Sequence, residues 1–259
     1  MRILLTNDDG ILADGIQALA RHLTHVPDVQ LYLVAPERER SASGHAITLH
    51  KPLRVQKLEL ATEVAGAWAV SGTPADCTKL GVSALLDESV DLVISGINRG
   101  PNLGQDVYYS GTVSAAMEGA FMGIPSLALS LAGFEGVDFN YAGQLAKELV
   151  LACVHECLAP GTLLNINVPA LPGEDVAGLA VTRLGLRKYQ DNYVKRTDPR
   201  GRIYYWLAGE PLEEKDDDQT DIGAIHSNLV SITPICLDMT NYAVLEQTME
   251  WIKHVNLPG

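Results

Sequence analysis

The N-terminal part of the sequence places two strand signals on either side of one helix signal. The strand signals are the apolar runs Arg2 to Thr6 and Val29 to Ala35, and the second run ends at Pro36. Between them, helical spacing relates the apolar residues Ile16, Leu19, Ala20 and Leu23. A helix that joins two neighbouring strands is typical of a βαβ unit, in which the strands run parallel. The sequence therefore predicts an α/β fold with a mostly parallel sheet.

Further apolar segments continue this alternation toward the C-terminus. Strands are predicted at Ala46 to Leu49, Leu53 to Leu58, Trp68 to Val70, Asp91 to Ser95, Ser126 to Ser130, Leu163 to Val168 and Leu229 to Thr233. Helices are predicted at Thr73 to Leu86, Thr112 to Met122, Tyr141 to Cys157 and around Leu245, Met249 and Ile252. After Pro172 the chain becomes more polar, and a hairpin is predicted from Val176 to Leu184 and Arg202 to Leu207. We expect residues 1–175 to form the αβ core, 176–235 an appended hairpin region, and 236–259 a helix that packs on the core.

The composition limits the partners and the location of the chain. Its 259 residues include 19 basic and 32 acidic ones, which give a formal net charge of −13. An acidic surface disfavours nucleic-acid polymers, because clustered Lys and Arg bind phosphate backbones. No run approaches the roughly 18 apolar residues that span a bilayer, so we expect neither membrane association nor a signal peptide. We expect buried, reduced thiols and a cytoplasmic location from four cysteines without a CxxC pair: Cys77, Cys153, Cys157 and Cys236.

Three polar loops follow predicted strands of the core. They are Asn7 to Gly10, Glu37 to Gly44 and Gly96 to Gly104. Ligands bind beyond the carboxyl ends of the strands in an open parallel sheet, so these loops are expected to converge. Asp8 and Asp9 repel each other at the end of a buried strand, and a divalent cation with oxygen ligands relieves that repulsion. The other two loops offer further oxygen ligands: Ser41, Ser43, Asn98 and Asn102.

The segment Tyr109 to Val113 opens a predicted helix of small residues. Free amides and hydroxyls at such a helix start suit the binding of phosphate oxygens. Taken singly, each polar feature also has a simpler explanation: a turn with a helix cap for the paired aspartates, a solvated loop for the serines, left-handed turn residues for the asparagines, and an ordinary N-cap for the helix start. The expected convergence of all four at one edge of the sheet favours a metal and phosphate site.

Eight motifs in the chain resemble those of the survival protein SurE family. They are Met1 to Gly10, Ala35 to Ser41, Gly72 to Cys77, Ser95 to Gly104, Tyr109 to Gly119, Leu164 to Pro169, Thr220-Asp221 and Ser231 to Pro234. The motifs follow in order over nearly the whole chain. The resemblance implies a metal-dependent 5′-nucleotidase that acts on nucleoside monophosphates. It also implies a Rossmann-like three-layer core and a C-terminal region that reaches into a neighbouring subunit.

The resemblance also implies which residues form the site. Carried over by motif, the metal ligands are Asp8, Asp9, Ser41 and Asn98, and the first two are also the catalytic residues. One divalent ion per subunit is expected, Mg²⁺ or Mn²⁺. Phosphate or substrate contacts are assigned to Ser110, Gly111 and Thr112, with Asn7 and Asn102 as supporting donors. Direct attack by Asp8 and attack by activated water both remain open, and water is favoured.

Two positions depart from the pattern of that family. Leu12 stands where the family often has an aromatic residue or His, and Asp14 replaces a proline. Both positions follow the paired aspartates closely. We therefore expect them to affect substrate specificity near the site, and not the metal ligands.

The expected reaction is hydrolysis of nucleoside 5′-monophosphates, and the range of substrates extends in this expectation to other phosphate esters or to polyphosphate. Two other functions are alternatives to this hydrolysis. A receiver-like switch also pairs acidic residues after its first strand, but it needs an aspartate at the end of its third strand. Asp91 instead begins its strand, and the chain is about twice the length of a receiver. A nucleotide-binding regulatory protein without turnover is the other alternative. Metal-dependent phosphate release distinguishes it from an enzyme.

The polar stretch Arg183 to Asp221 carries aromatic residues that favour interfaces: Tyr189, Tyr193, Tyr204, Tyr205 and Trp206. Such a segment is too polar to form a core of its own. We expect it to bury these side chains on a second copy of the chain, because twofold symmetry is common among soluble assemblies. The expected assembly is a homodimer or homotetramer with exchanged C-terminal segments. The alternative is a local hairpin folded on its own core.

Overall fold

The computed structural model describes residues 1–152, 158–159, 161–186, 189–190, 192–211, 217 and 219–256. The helices in these residues are α1 (Asp14–Leu23), α2 (Pro74–Leu80), α3 (Gly111–Phe121), α4 (Asn140–Leu151), α5 (Asp221–His226) and α6 (Leu245–Ile252). The strands are β1 (Arg2–Thr6), β2 (Gln30–Pro36), β3 (Val55–Lys57), β4 (Gly66–Val70), β5 (Leu92–Arg99), β6 (Ser126–Ala132), β7 (Thr162–Pro169), β8 (Gly178–Val181), β9 (Tyr189–Gln190), β10 (Tyr193–Thr197), β11 (Ile203–Leu207), β12 (Glu210–Pro211) and β13 (Leu229–Cys236). A π-helical segment, Gly81–Leu85, continues α2.

Nine of these strands form one sheet in the order β3-β4-β2-β1-β5-β6-β7-β13-β8. The six strands from β4 to β7 in this order are mutually parallel, whereas β3 and β13 pair antiparallel with their inner neighbours. The six parallel strands have the order of a Rossmann-like doubly wound sheet, with β1 and β5 at the point where the winding reverses. The predicted α/β class and the Rossmann-like core are confirmed.

Helices cover both faces of the sheet. On one face, Ile3 and Leu5 of β1 pack in a cluster with Ile16 and Leu19 of α1, and α4 contributes Ala142 to the same cluster. On the other face, Leu4 packs with residues of β2 and α2, and α3 packs on β6 and β7 through a third cluster. Because both faces are buried, the central strands are almost continuously apolar. This explains why β1 could be recognised as a short apolar run.

Two strands predicted in the core differ from the structure. The strand predicted at Asp91 to Ser95 continues to Arg99, so Asn98 lies at the end of β5 and not in a free loop. The segment Ala46 to Leu49 is irregular, and the predicted strand there is wrong. Its backbone groups are bound to the start of α2 instead, because Thr48 N donates to Asp76 Oδ1 and the Ala46 carbonyl accepts from the Thr73 hydroxyl.

The strand pairing after Pro172 also differs from the expectation. Val176 to Leu184 does not form a hairpin with Arg202 to Leu207. Instead β8 pairs parallel to β13, and β11 pairs antiparallel with β10. The hydroxyl of Thr182, which follows β8, is hydrogen-bonded to Ser231 and Thr233 of β13 at 2.8 and 2.7 Å. The central sheet therefore extends into the region that was expected to be an appended hairpin.

The C-terminal helix forms as predicted but has no buried residue. Its apolar side chains Leu245, Met249 and Ile252 are exposed, so a single chain does not show the expected packing on the core. An apolar stripe on a helix needs a covering surface, and within the described residues of this chain none covers it.

Two cysteines lie in the described part of the chain. Cys77 is free and buried, whereas Cys236 is free and exposed, so the expectation of buried thiols is wrong for Cys236. Cys153 and Cys157, together with the end of the predicted helix that carries them, lie outside the described residues. Within those residues, no helix is both long and apolar enough to cross a membrane.

Candidate active site

A cavity of about 730 Å³ lies at the carboxyl ends of β1 and β5. This is the place where open parallel sheets bind ligands, because the winding of the sheet reverses there. The cavity is lined by residues from all three loops that the sequence predicted to converge, among them Asp8, Asp9, Ser41, Asn98 and Asn102, and by Ser110 at the start of α3. The structure therefore brings the residues suggested as metal ligands to one cavity. It places Asn7, Gly111 and Thr112 beside the cavity and not among its lining residues.

The lining of the cavity is strongly acidic. It includes one guanidinium, that of Arg99, and five carboxylates: Asp8, Asp9, Asp14, Glu39 and Asp106. Arg99 Nη2 lies 3.8 Å from Asp14 Oδ2, so part of its charge is already compensated. Asp8 and Asp9 repel each other within this lining, and its negative charge also opposes the entry of an anion. A bound cation relieves both effects.

Asn7 shapes the turn that presents the paired aspartates. Its Nδ2 donates to the Gly10 carbonyl at 2.9 Å, and its Oδ1 accepts from Gly10 N at 3.2 Å. Gly10 has a φ of +105°, a conformation that side-chain-bearing residues rarely adopt. Asn7 is fully buried, so it supports the turn from behind.

Burial dominates the electrostatics of the two aspartates. Burial, together with the charge of Asp9, raises the pKa of Asp8 from 3.8 to about 6. Hydrogen bonds from the Thr112 hydroxyl and main chain act in the opposite direction. Burial also raises the pKa of Asp9, although Arg99 N donates to its Oδ2 at 3.3 Å. Without a cation, the protein therefore holds two carboxylates whose ionised forms are disfavoured.

Ser41 lines the cavity, whereas Ser43 of the same loop does not. The loop is held by two main-chain bonds, in which Arg40 N donates to the Asp8 carbonyl at 2.7 Å and Gly44 N donates to the Tyr109 carbonyl at 3.0 Å. The Ser41 hydroxyl itself donates to Glu39 Oε1 at 2.5 Å. The sequence alone left the two serines open, and the structure distinguishes them by their position.

Asn98 reaches the cavity from an irregularity in β5. The pairing of β5 with β6 shifts register between Gly96 and Asn98, and such bulges redirect side chains at the ends of strands. Asn98 Nδ2 donates to the Gly100 carbonyl at 2.8 Å. The lone pair of an amide nitrogen is delocalised into its carbonyl, so Oδ1 is the atom of Asn98 that can bind a cation.

The start of α3 contacts the β1 loop directly. A Cβ atom on Gly111 would lie 2.8 Å from Asp8 Oδ2, so only glycine lets the helix come this close. The Thr112 hydroxyl donates to Asp8 Oδ1, and Thr112 is fully buried. Ser110 caps the helix by accepting from Val113 N at 3.1 Å, and it also lines the cavity. Of the predicted phosphate contacts, Ser110 is therefore the one with direct access.

Asn102 is fixed by a buried polar network that the sequence analysis did not identify. Its main-chain amide donates to Asn167 Oδ1 and its Nδ2 donates to Ser130 Oγ, both at 2.8 Å. Its carbonyl accepts from the side chains of Asn165 and Asn167 at 2.8 and 3.1 Å. Two asparagines that alternate within an otherwise apolar strand are the sequence signal that could have revealed this network.

Asp221 and Glu118 also act on the site from a distance. Asp221 is fully buried, accepts from Gly104 N at 2.7 Å and so holds the far end of the loop that follows β5. Glu118 of α3 is 5% exposed and binds His45 Nε2 at 2.8 Å and Lys79 Nζ at 2.6 Å. His45 belongs to the loop that carries Ser41. In the sequence, a single glutamate within a helix of small, uncharged residues is the signal that could have identified Glu118.

The donor set around the cavity suits a hard divalent cation. Two carboxylates, a hydroxyl and an amide oxygen are the kinds of ligand that Mg²⁺ and Mn²⁺ prefer. The described residues contain no cluster of three or more His, Cys, Asp or Glu side chains that could hold a metal ion. A site with two carboxylates and two neutral oxygens does not require such a cluster. The raised pKa of Asp8 is a further sign of fit, because a cation would stabilise its ionised form.

Nearly the whole chain is similar to known proteins. The sequence profile described as Survival protein SurE matches residues 3–191. A protein named 5′-nucleotidase SurE from Heliobacterium modesticaldum is 53% identical over 252 residues, which cover 97% of this chain and 92% of that protein. A protein of the same name from Pelotomaculum thermopropionicum is 54% identical over 254 residues, which cover 98% of this chain and 96% of that protein.

Solved structures give the same result for the fold. The crystal structure of SurE protein from Aquifex aeolicus matches with a TM-score of 0.84 and 40% sequence identity. The match covers 98% of this chain and all of that one. The similarity therefore includes both the parallel core and the region after Pro172.

Proposed function

Because the chain belongs to the Survival protein SurE family, we propose that it is a 5′-nucleotidase that depends on a metal ion. It hydrolyses the phosphate monoester of nucleoside 5′-monophosphates to nucleoside and phosphate, and so is a phosphoric monoester hydrolase. The observation that carries this proposal is the convergence of four oxygen ligands, Asp8, Asp9, Ser41 and Asn98, on one acidic cavity. Such a cavity accepts an anionic phosphate ester only when a cation compensates its charge.

The proposed metal site holds one divalent ion per subunit, Mg²⁺ or Mn²⁺. When bound, the ion supplies positive charge to the phosphoryl oxygens and increases the acidity of water. Asp8 and Asp9 provide its charged ligands, while Ser41 and Asn98 add oxygen atoms without adding repulsion. The Ser41 hydroxyl, whose proton is donated to Glu39 Oε1, would still offer its oxygen lone pairs to the ion.

Other residues bind the phosphate and keep the ligands in place. The Ser110 oxygen accepts from Val113 N, so its own proton remains free to donate to a phosphate oxygen in the cavity. Thr112 stabilises the ionised form of Asp8. Thr112 engages Asp8 Oδ1, and Asp8 would hold the ion as a ligand, so water is the nucleophile in this proposal.

Phosphate release from a panel of substrates tests this function. The panel contains the four common ribonucleoside 5′-monophosphates, para-nitrophenyl phosphate and polyphosphate. The proposal expects metal-dependent release from the nucleotides, and release from the other two compounds measures the breadth of the activity. Nucleotide binding without any phosphate release would instead identify a regulatory binding protein.

The proposed assembly is a homodimer or homotetramer with exchanged C-terminal segments. Every residue of β10 and β11 is half-buried or exposed, including the aromatic residues Tyr193, Tyr204, Tyr205 and Trp206, whereas the side chain of Tyr189 lies outside the described part. An isolated two-stranded hairpin is marginally stable in water, so these strands need a covering surface. A second copy provides it through an isologous contact.

Light scattering tests the assembly. The parent chain is expected to behave as a dimer or tetramer at micromolar concentration. Deletion of Tyr189 to Asp218 with a short linker is expected to lower the oligomeric state. A monomeric parent would contradict the proposal without any variant.

A reducing compartment, the cytoplasm, is the proposed location. Cys236 is an exposed free thiol, and such thiols persist in reducing surroundings. Cell fractionation with an antibody to the chain tests this location.

A further inference from the structure

An exposed aromatic ring, Phe134, lines the same cavity as the proposed metal ligands. The ring follows β6, the neighbour of β5 in the sheet, and is 68% exposed. A phenyl ring has no polar atom that water could bind, so this exposure is unfavourable in the free protein. Its position in the cavity makes the ring accessible to a bound ligand.

The ring is held in place by the loop that follows β5. A Cβ atom on Gly100 would lie 2.5 Å from Phe134 Cε1, so the ring packs directly against the main chain of Gly100. The carbonyl of the same glycine accepts the hydrogen bond from Asn98 Nδ2 at 2.8 Å. Phe134 and the proposed ligand Asn98 therefore flank one residue. Both side chains line the same cavity.

The cavity has an apolar part beside its acidic part. Leu12 is 70% exposed and lines the cavity together with Pro101 and Phe139. Pockets of about 300–1,000 Å³ commonly hold small molecules, and the volume of this one, about 730 Å³, falls within that range. A ligand that has a charged end and a flat apolar end matches both parts.

We propose that Phe134 is the stacking surface for the nucleobase of the substrate, with Leu12 as a second apolar contact. The inference rests on the proposed nucleotidase function and assigns the part of the cavity that recognises the base. Tyr109 is the other exposed aromatic residue of the lining, but it directly precedes Ser110, the proposed phosphate donor. Stacking tolerates every base because each has a π face, so Phe134 selects for a base without strongly selecting which one.

Steady-state kinetics with AMP and ribose 5-phosphate test this assignment. Both compounds are phosphate monoesters of ribose, and only AMP carries a base. Phe134→Ala is expected to raise the KM for AMP about tenfold, within the range that base stacking contributes, with little change in kcat. The ratio of kcat/KM for AMP to that for ribose 5-phosphate falls by the same factor. Phe134→Trp is expected to preserve the ratio.

Two control variants separate this effect from others. Tyr242→Ala removes a similarly exposed aromatic ring that does not line the cavity, and it is expected to leave the ratio unchanged. Tyr109→Ala removes the other aromatic side chain of the cavity. A drop in the ratio that appears in Tyr109→Ala and not in Phe134→Ala would overturn the assignment to Phe134.

The remaining outcomes distinguish this inference from the proposed function. If the parent chain hydrolyses AMP and Phe134→Ala does not change the ratio, the stacking surface is wrong and the nucleotidase function stands. If the parent chain hydrolyses neither compound, the nucleotidase function is wrong. In that case, AMP binding by titration calorimetry decides the inference: weaker binding to Phe134→Ala supports it, and equal binding or none to the parent overturns it. A change of oligomeric state with an unchanged ratio would show that the ring belongs to a subunit interface and would overturn it.

Discussion

The Thr112 hydroxyl donates a 2.5 Å hydrogen bond to Asp8 Oδ1 and joins the first turn of α3 to the end of β1. Thr112 is fully buried and does not line the cavity. Its bond stabilises the ionised form of Asp8, against the burial that raises the pKa of this carboxyl to about 6. The start of α3 therefore acts on the carboxylate, whereas the sequence suggested a direct contact of Thr112 with phosphate.

The first prediction concerns Thr112→Val, which keeps the shape of the side chain and removes its donor. Without the hydroxyl, the pKa of Asp8 rises above its present value of about 6, because its charged form loses a hydrogen bond. The acid limb of the pH profile of kcat/KM is expected to move to higher pH. Metal binding near pH 6 weakens by about 1–3 kcal/mol.

Thr112→Ser is the matched control for this prediction, because it restores a hydroxyl at the same place. An unchanged pH profile, combined with weaker inhibition by inorganic phosphate, would show that the Thr112 hydroxyl contacts phosphate after all.

The second prediction concerns the stability of the metal-free protein. Because the pKa of Asp8 is raised from 3.8 to about 6, the folded chain binds more protons than the unfolded chain between these values. The free energy of unfolding therefore falls as the pH rises through this window, by up to about 3 kcal/mol. Asp8→Asn removes the ionisation, so the metal-free variant is expected to exceed the parent in stability at pH 7.

Urea unfolding in the presence of a chelator, at pH 4.5 and pH 7.5, measures this effect. Asp175→Asn, a change at an exposed aspartate, is the control and is expected to follow the parent. Asp8→Asn should at the same time lose most of the activity. A variant that is no more stable than the parent at pH 7.5 would show that burial of Asp8 does not oppose its charge.

The third prediction concerns Asn98→Ala, which removes a neutral oxygen ligand. Activity is expected to fall because the affinity for the metal ion falls, so excess metal should restore part of it. A titration of activity against metal concentration measures the shift. Loss of activity with an unchanged titration curve would place the role of Asn98 elsewhere.

The fourth prediction concerns the buried carboxylate of Glu118. Glu118→Gln keeps the shape of the side chain but weakens its bonds to His45 and Lys79, which lie at 2.8 and 2.6 Å. The free energy of unfolding is expected to fall by about 1–3 kcal/mol. Metal affinity is expected to fall as well, since His45 anchors the loop that carries Ser41.

Glu246→Gln, at an exposed position of α6, is the control for both measurements. A loss of stability without a change in metal affinity would leave Glu118 with a purely structural role.

The location of the site could be predicted from the sequence because parallel strands bring their carboxyl ends to one edge. Asp8, Asp9 and Asn98 follow apolar runs that are readable as buried strands, so their convergence needed only the topology. The choice of Ser41 over Ser43 was not available from the residues, because it depends on how the loop lies against Asp8 and Tyr109.

Contacts between distant segments could not be predicted in the same way. The network of Asn102 joins residues that are 28 to 65 positions apart. The parallel pairing of β8 with β13 likewise depends on strand register, which the short alternating segments after Pro172 do not specify. The apolar side chains of α6 stay exposed, and no described residue of the chain covers them, so its expected packing on the core is not seen.

The most direct test of the account is phosphate release from AMP as Mg²⁺ or Mn²⁺ is added back to chelator-treated protein. No release is expected without the ion, a saturable rise is expected as the ion binds, and no comparable rise is expected for Asp8→Asn at the same ion concentrations. Undiminished release from the chelator-treated parent, or parent-like activity and metal affinity in Asp8→Asn, would contradict it.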